Sequence, residues 1–175
     1  MKEGMKEGMQ MKEEGSAYSR PVVNMGEQLS EHFTLGELCR SQTAERHGVP
    51  NIPLKVHITK LRNLCEKVLE PVRQHFGEPL YVNSGYRCEY VNKLVGGVPY
   101  SQHMKGEAAD VTVHSLDVAK RLRTYFDWMR EHVPYDQLIL ERKGNVWWIH
   151  VSCRLDTRQN RRQVMMKVIP TPAAK

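Results

Sequence analysis

Three residues that could do chemistry fall in one stretch, SQHMKGEAAD: Ser101, His103 and Asp110, with Gly106 and Ala108 between them. A second histidine, His150, sits in the apolar run VWWIHVS. His103 and Asp110 are seven residues apart. Gly106 lets the loop between them turn sharply. Ala108 is small and shares a strand face with Asp110, which leaves room beside that carboxylate. A carboxylate entering an apolar strand and an imidazole inside VWWIHVS are both expensive to bury without partners. Two imidazoles and one carboxylate make a three-ligand zinc set, Zn2+ keeping its fourth tetrahedral position open as a catalytic site requires. By residue type alone other readings stay open. His150 also suits a core histidine bonded to a backbone carbonyl, and Asp110 a turn or capping carboxylate. No HExxH, GxSxG, P-loop or GxGxxG motif competes.

The elements that must position these residues follow from periodicity and breakers. Folded structure is expected from Leu29–His32 onward. Thr34 and Glu37 have capping-box spacing, so a short helix starts there. Leu61, Leu64, Cys65, Val68, Leu69, Val72 and Phe76 repeat at three/four spacing, which predicts a long buried-face helix that kinks or begins a new turn at Pro71 and stops at Gly77. Leu80–Val82 reads as a short strand, 87–94 as a short helix and 107–113 as a strand. Ser115 is the expected N-cap of a helix over 116–131, with Leu116, Ala119, Leu122, Phe126 and Met129 inward. Strands 137–141 and 146–152 follow, with Gly144–Asn145 as a hairpin turn. With Glu141 facing Val146, Ile139 faces Trp148 and Gln137 faces His150. Glu141 then shares a sheet face with His150, and Asp136 and Cys153 fall on the other. Trp147 and Trp148 alternate faces, so one packs in the core and the other can line a cleft; core packing of both is the simpler expectation. The class is α+β: a small antiparallel sheet packed against helices, without βαβ alternation.

At 175 residues and 20.3 kDa the chain is expected to hold one domain with tails. Residues 1–25, with the repeat MKEGMKEG, are expected to be a disordered leader, since they have too little apolar surface to offset ordering entropy. The domain proper spans 26–155, and 156–175 form a basic C-terminal segment. Of the net charge of +6, residues 154–175 carry +5 and 26–153 only +1. This favours an anionic partner near the C-terminus, or a solvated tail; the nearly neutral body argues against a nucleic-acid binder acting through residues 154–175. No apolar run reaches the roughly 20 residues of a membrane span, and the start has no apolar core of an export signal. A cytoplasmic location with four reduced cysteines, none assigned a role, is the corresponding expectation.

A larger pattern resembles a known family. SGYRCEYVN, then GGVPYSQHMKGEAADV, then YDQLILE followed by WWIHVSC, together with the opening LSEHFTLGELCRS, is similar to the zinc D-Ala-D-Ala carboxypeptidase-like metallopeptidases, especially their compact phage and bacterial branch. The likeness runs from about Leu29 to Cys153. It implies the hedgehog/D-Ala-D-Ala peptidase fold and zinc ligands at His103, Asp110 and His150. Arg87 matches the family's substrate arginine, with a catalytic role toward the carbonyl, and Ser101 the serine that holds the substrate's carboxylate end. Some branches place a carboxylate three residues before the last histidine; here that position is Trp147. The hedgehog order of Asp, Glu, His is followed by Asp136, Glu141 and His150. Glu141 is therefore the expected general base, with Asp136 the alternative. His114, four residues after Asp110, is a rival ligand whose simplest reading is an exposed residue.

The resemblance implies a zinc peptidase that cuts peptidoglycan peptides at a D-amino-acid-containing bond, as a carboxypeptidase or an endolysin-type endopeptidase, and acts as a monomer. A missing signal suits a cytoplasmic enzyme or a phage lysin released to the cell wall by a separate pore. The alternative is a zinc-containing cell-wall-binding module without turnover, as in the hedgehog relatives.

Overall fold

The computed structural model describes residues 23–171. The expected leader therefore lies outside the described residues, apart from 23–25. Those three already belong to the fold. The Gly36 amide donates to the Met25 carbonyl at 2.7 Å, and Val23 packs against the core. The described fold thus includes the six residues before Leu29.

Two short helices, α1 (Leu35–Cys39) and α2 (Gln42–Arg46), are N-capped by Thr34 and Ser41, whose hydroxyls accept from the Glu37 and Ala44 amides. The predicted long helix is present as three continuous pieces: α3 (Lys55–Leu64), one π turn (Cys65–Leu69) and α4 (Glu70–Phe76). The π turn ends two residues before Pro71. Proline has no N–H and crowds the carbonyl four residues back, and the wider turn absorbs both defects without breaking the helix. The stripe from Leu61 to Val72 is fully buried. Gly77 ends the helix in the left-handed region.

Five strands form one sheet in the order β1-β2-β4-β3-β5: β1 (Tyr81–Ser84), β2 (Ala108–Thr112), β3 (Gln137–Lys143), β4 (Val146–Ser152) and β5 (Gln163–Ile169). The first four pair antiparallel, and β5 runs parallel to β3. The expected hairpin forms, but its register is two residues tighter: Glu141 faces Trp148 and Ile139 faces His150. The loop is only Gly144–Asn145. A shift of two keeps every side chain on its expected face.

The strand β5 departs from the expected tail. It lies inside the segment read as a basic tail, and Asp136 pins its approach. The Asp136 carboxylate is fully buried and accepts from Arg154 Nε at 3.0 Å and from Arg161 Nη2 at 2.5 Å and backbone N at 2.9 Å.

Helix α5 (Glu89–Leu94) follows β1, and α6 (Val118–His132) covers one sheet face with Leu122, Tyr125, Phe126 and Met129. The cap of α6 is Asp117, which accepts from the Lys120 amide at 3.0 Å. Ser115 instead holds the Asp117 amide, and Leu116 is fully exposed ahead of the helix. Val111, Leu138, Leu140, Ile149 and Val151 point from the sheet into this core. The opposite face, carrying Asp110 and His150, is left for chemistry. Among the described residues no helix is long and apolar enough to cross a membrane. All four cysteines are free, and burial pushes the Cys39 thiol up to about 12.

Candidate metal centre

Antiparallel pairing sets Asp110 of β2 directly opposite His150 of β4, so their side chains leave the same face side by side. His103 arrives from a separate piece of chain, a 3-10 turn over Gln102–Lys105. That turn ends at Gly106, whose φ is +71°, and a Cβ there would stand 2.6 Å from the His57 carbonyl oxygen. Both the positive φ and the close approach require glycine. Gly85 is as tightly placed: a Cβ would lie 2.2 Å from the Leu38 carbonyl oxygen. Its own carbonyl accepts from His103 Nδ1 at 2.7 Å.

That last contact fixes the imidazole. A carbonyl can only accept, so Nδ1 carries the proton and Nε2 presents its lone pair. Burial holds His103 below the ordinary histidine range against the pull of Asp110, which keeps the ring neutral. Burial alone would raise the Asp110 carboxyl. The attraction and hydrogen bonds of His103 and His150 outweigh it and hold the group well below the usual carboxylate range. Neutral His103 and ionised Asp110 are thus in the states that metal ligation needs.

Their atoms converge. His150 Nδ1 lies 2.9 Å from Asp110 Oδ1, His103 Nε2 lies 3.3 Å from the same oxygen, and the two nitrogens are 3.2 Å apart. Zinc–ligand bonds of about 2.0–2.1 Å in a tetrahedron put ligand atoms about 3.3 Å apart. The triangle therefore fits one zinc ion, with a corner left for water or substrate. The carbonyl on His103 Nδ1 is the outer partner that commonly orients a ligating imidazole.

Arg87 follows the β1 turn. Its Nη2 donates to Asp110 Oδ2 at 2.6 Å and its Nε to Ser84 Oγ at 2.8 Å. Its backbone N–H donates to the His103 carbonyl at 3.2 Å. The Asp110 carboxylate is thus divided, one oxygen toward the imidazoles and one toward the guanidinium. Ser101 is buried at the N-cap of the His103 turn.

Glu141 stands on the same sheet face, one cross-strand pair along from Ile139–His150. Such diagonal neighbours are about 7–8 Å apart, within reach of a glutamate. Its Oε2 accepts from Trp148 Nε1 at 2.7 Å, and Lys167 Nζ of β5 lies 3.6 Å from Oε1. Trp148 therefore leaves the sheet on the same face as Glu141 and His150, while Trp147 packs on the core side beneath Arg142. Asp136 lies on the core face with its oxygens bonded to Arg154 and Arg161, away from His150. His114 is exposed and stacks on Tyr81, rings 4.1 Å apart. A second acidic cluster, Glu31, His32 and Glu70, is occupied by its own bonds: Glu70 accepts from Ser30, from His32 Nδ1 and from the His32 amide.

Sequence reasoning had no signal for the Gly85 carbonyl, for Lys167 or for Trp148 as partner of Glu141. All three depend on register and turn geometry.

A family model described as Peptidase M15 matches residues 31–152. No curated protein gives a match to the chain.

Proposed function

The chain belongs to the peptidase M15 family of zinc-dependent metallopeptidases, and on that premise we propose that it hydrolyses peptidoglycan stem peptides at a D-amino-acid-containing bond. The observation that carries this reading is the triangle of His103 Nε2, Asp110 Oδ1 and His150 Nδ1, whose edges of 2.9–3.3 Å suit a single zinc. These three residues hold the metal. Zinc bound there supplies Lewis acidity toward water and the scissile carbonyl.

Glu141 acts as general base, taking a proton from the attacking water and handing it to the leaving amine. Trp148 grips Oε2, which leaves Oε1 to move the proton. Arg87 spends Nε and Nη2 on Ser84 and Asp110. Its Nη1 is available to the carbonyl oxygen as charge builds, or to a substrate carboxylate, and a guanidinium keeps its charge at any working pH. Ser101, beside the first ligand, holds the carboxylate end of the substrate.

Mass spectrometry of purified peptidoglycan digested with and without a zinc chelator tests the proposal. Release of D-Ala assigns a carboxypeptidase, and release of a longer fragment an endopeptidase; either must stop with chelation. Zinc binding with no product from any peptidoglycan would reduce the protein to a wall-binding module.

A further inference from the structure

A cleft of about 410 Å³ opens beside the centre, between the α1–α2 corner and β1. Three guanidinium-bearing residues, Arg40, Arg46 and Arg87, line it together with Thr43 and Ser84, and no carboxylate does. Arg40 and Arg46 are exposed and form no ion pair among the described residues. Arg87 is offset through Asp110, and Arg40 also feels the Glu37 carboxylate. Cations gathered around one hollow repel each other, and an anion placed among them relieves that repulsion. Guanidinium forks match the plane of a carboxylate.

Position then says which molecule brings the anion. Arg87 belongs both to the cleft wall and, through Asp110 Oδ2, to the border of the metal triangle. The cleft is thus the continuation of the site on its β1 side, with Glu141 on the opposite, β3 side. Strands lie about 4.8 Å apart and an extended peptide advances about 3.3 Å per residue. The far wall of the cleft, beyond Arg87, is therefore about two to three residues from the bond being cut.

Building on the peptidase reading above, we propose that this cleft is an acidic-residue subsite, in which Arg40 and Arg46 select substrates carrying a free carboxylate two to three residues from the scissile bond on the Arg87 side. The two arginines do not touch the reacting atoms. They set which peptides are accepted.

The probes are the pentapeptide L-Ala-γ-D-Glu-L-Lys-D-Ala-D-Ala and its twin with a carboxamide in place of the glutamate α-carboxylate. Each is titrated calorimetrically against the full chain carrying Glu141→Gln and loaded with zinc, with and without Arg40→Gln and Arg46→Gln. The acid form is expected to bind about tenfold more tightly than the amide, as for a charge-assisted hydrogen bond, and the double substitution to bring that ratio below about twofold. Equal affinity for both peptides in the parent, or an unchanged ratio in the double variant, overturns the subsite and leaves the peptidase reading intact. Failure to bind either peptide overturns both.

Discussion

Replacing Asp136 by asparagine separates a structural carboxylate from a catalytic one. The carboxylate is fully buried and accepts from the Arg154 and Arg161 side chains and from the Arg161 amide. Burial alone would raise its pKa. The hydrogen bonds of Arg161 and Arg154 win and bring it down to about 2. An unfolded chain holds the same group near 3.9, so ionised Asp136 contributes about 2.5 kcal/mol at pH 7. The sign follows from the depressed value. The contribution is complete above the unfolded pKa and disappears as pH falls through the folded one. Urea unfolding of the wild type and Asp136→Asn, both in chelator, is therefore expected to differ by about 2.5 kcal/mol at pH 7. The difference should narrow by about 1 kcal/mol at pH 3 and by about 2 kcal/mol at pH 2. A gap that ignores pH would refute the electrostatic account of how β5 is anchored. At temperatures where the variant is folded, peptide release should persist; its complete loss would return Asp136 to the candidates for general base.

Glu141→Gln should retain one zinc per chain, read by chelator competition, while peptide release falls by at least about 100-fold. Trp148→Phe removes an N–H donor to Glu141 Oε2; kcat should drop about tenfold or more with zinc affinity unchanged, and a loss of zinc instead would mean that Trp148 supports the ligands rather than the base. Gly106→Ala forces a side chain into a φ of +71° and against the His57 carbonyl. It should cost about 2 kcal/mol or more of stability and weaken zinc binding at least about tenfold by displacing His103, both measurable on the same preparation by denaturation and competition.

Much of this architecture was legible from periodicity. The Leu61–Val72 stripe is a single buried face because burial at three/four spacing leaves no other regular structure. Pro71 is legible as a disturbance, but its form, a π turn just upstream, has no signal in the residue pattern. The faces of the β3–β4 hairpin were readable because strand parity survives a register error of two; the partner of each residue was not. Ser115 and Asp117 are both good caps, and only the path of the chain after β2 decides between them. The strand β5 was opaque for a different reason. QVMMKVI follows a run of arginines, and it becomes a strand through Asp136, a carboxylate some 27 residues upstream of the strand's start. The ligand types were visible in the sequence, and their convergence required the β2–β4 pairing together with a turn threaded past His57.

The presence of β5 also limits how a peptide can approach. Because β3 is paired on both sides, its main-chain amides and carbonyls are consumed, and the sheet beyond Glu141 offers no rim to a visiting chain near the cluster. The unshared ladder nearest the metal ligands is the outer margin of β1, four residues long, whose last three line the arginine cleft. An incoming polypeptide that borrows backbone partners finds them on that flank, so the molecule has a preferred side of entry built into its strand order.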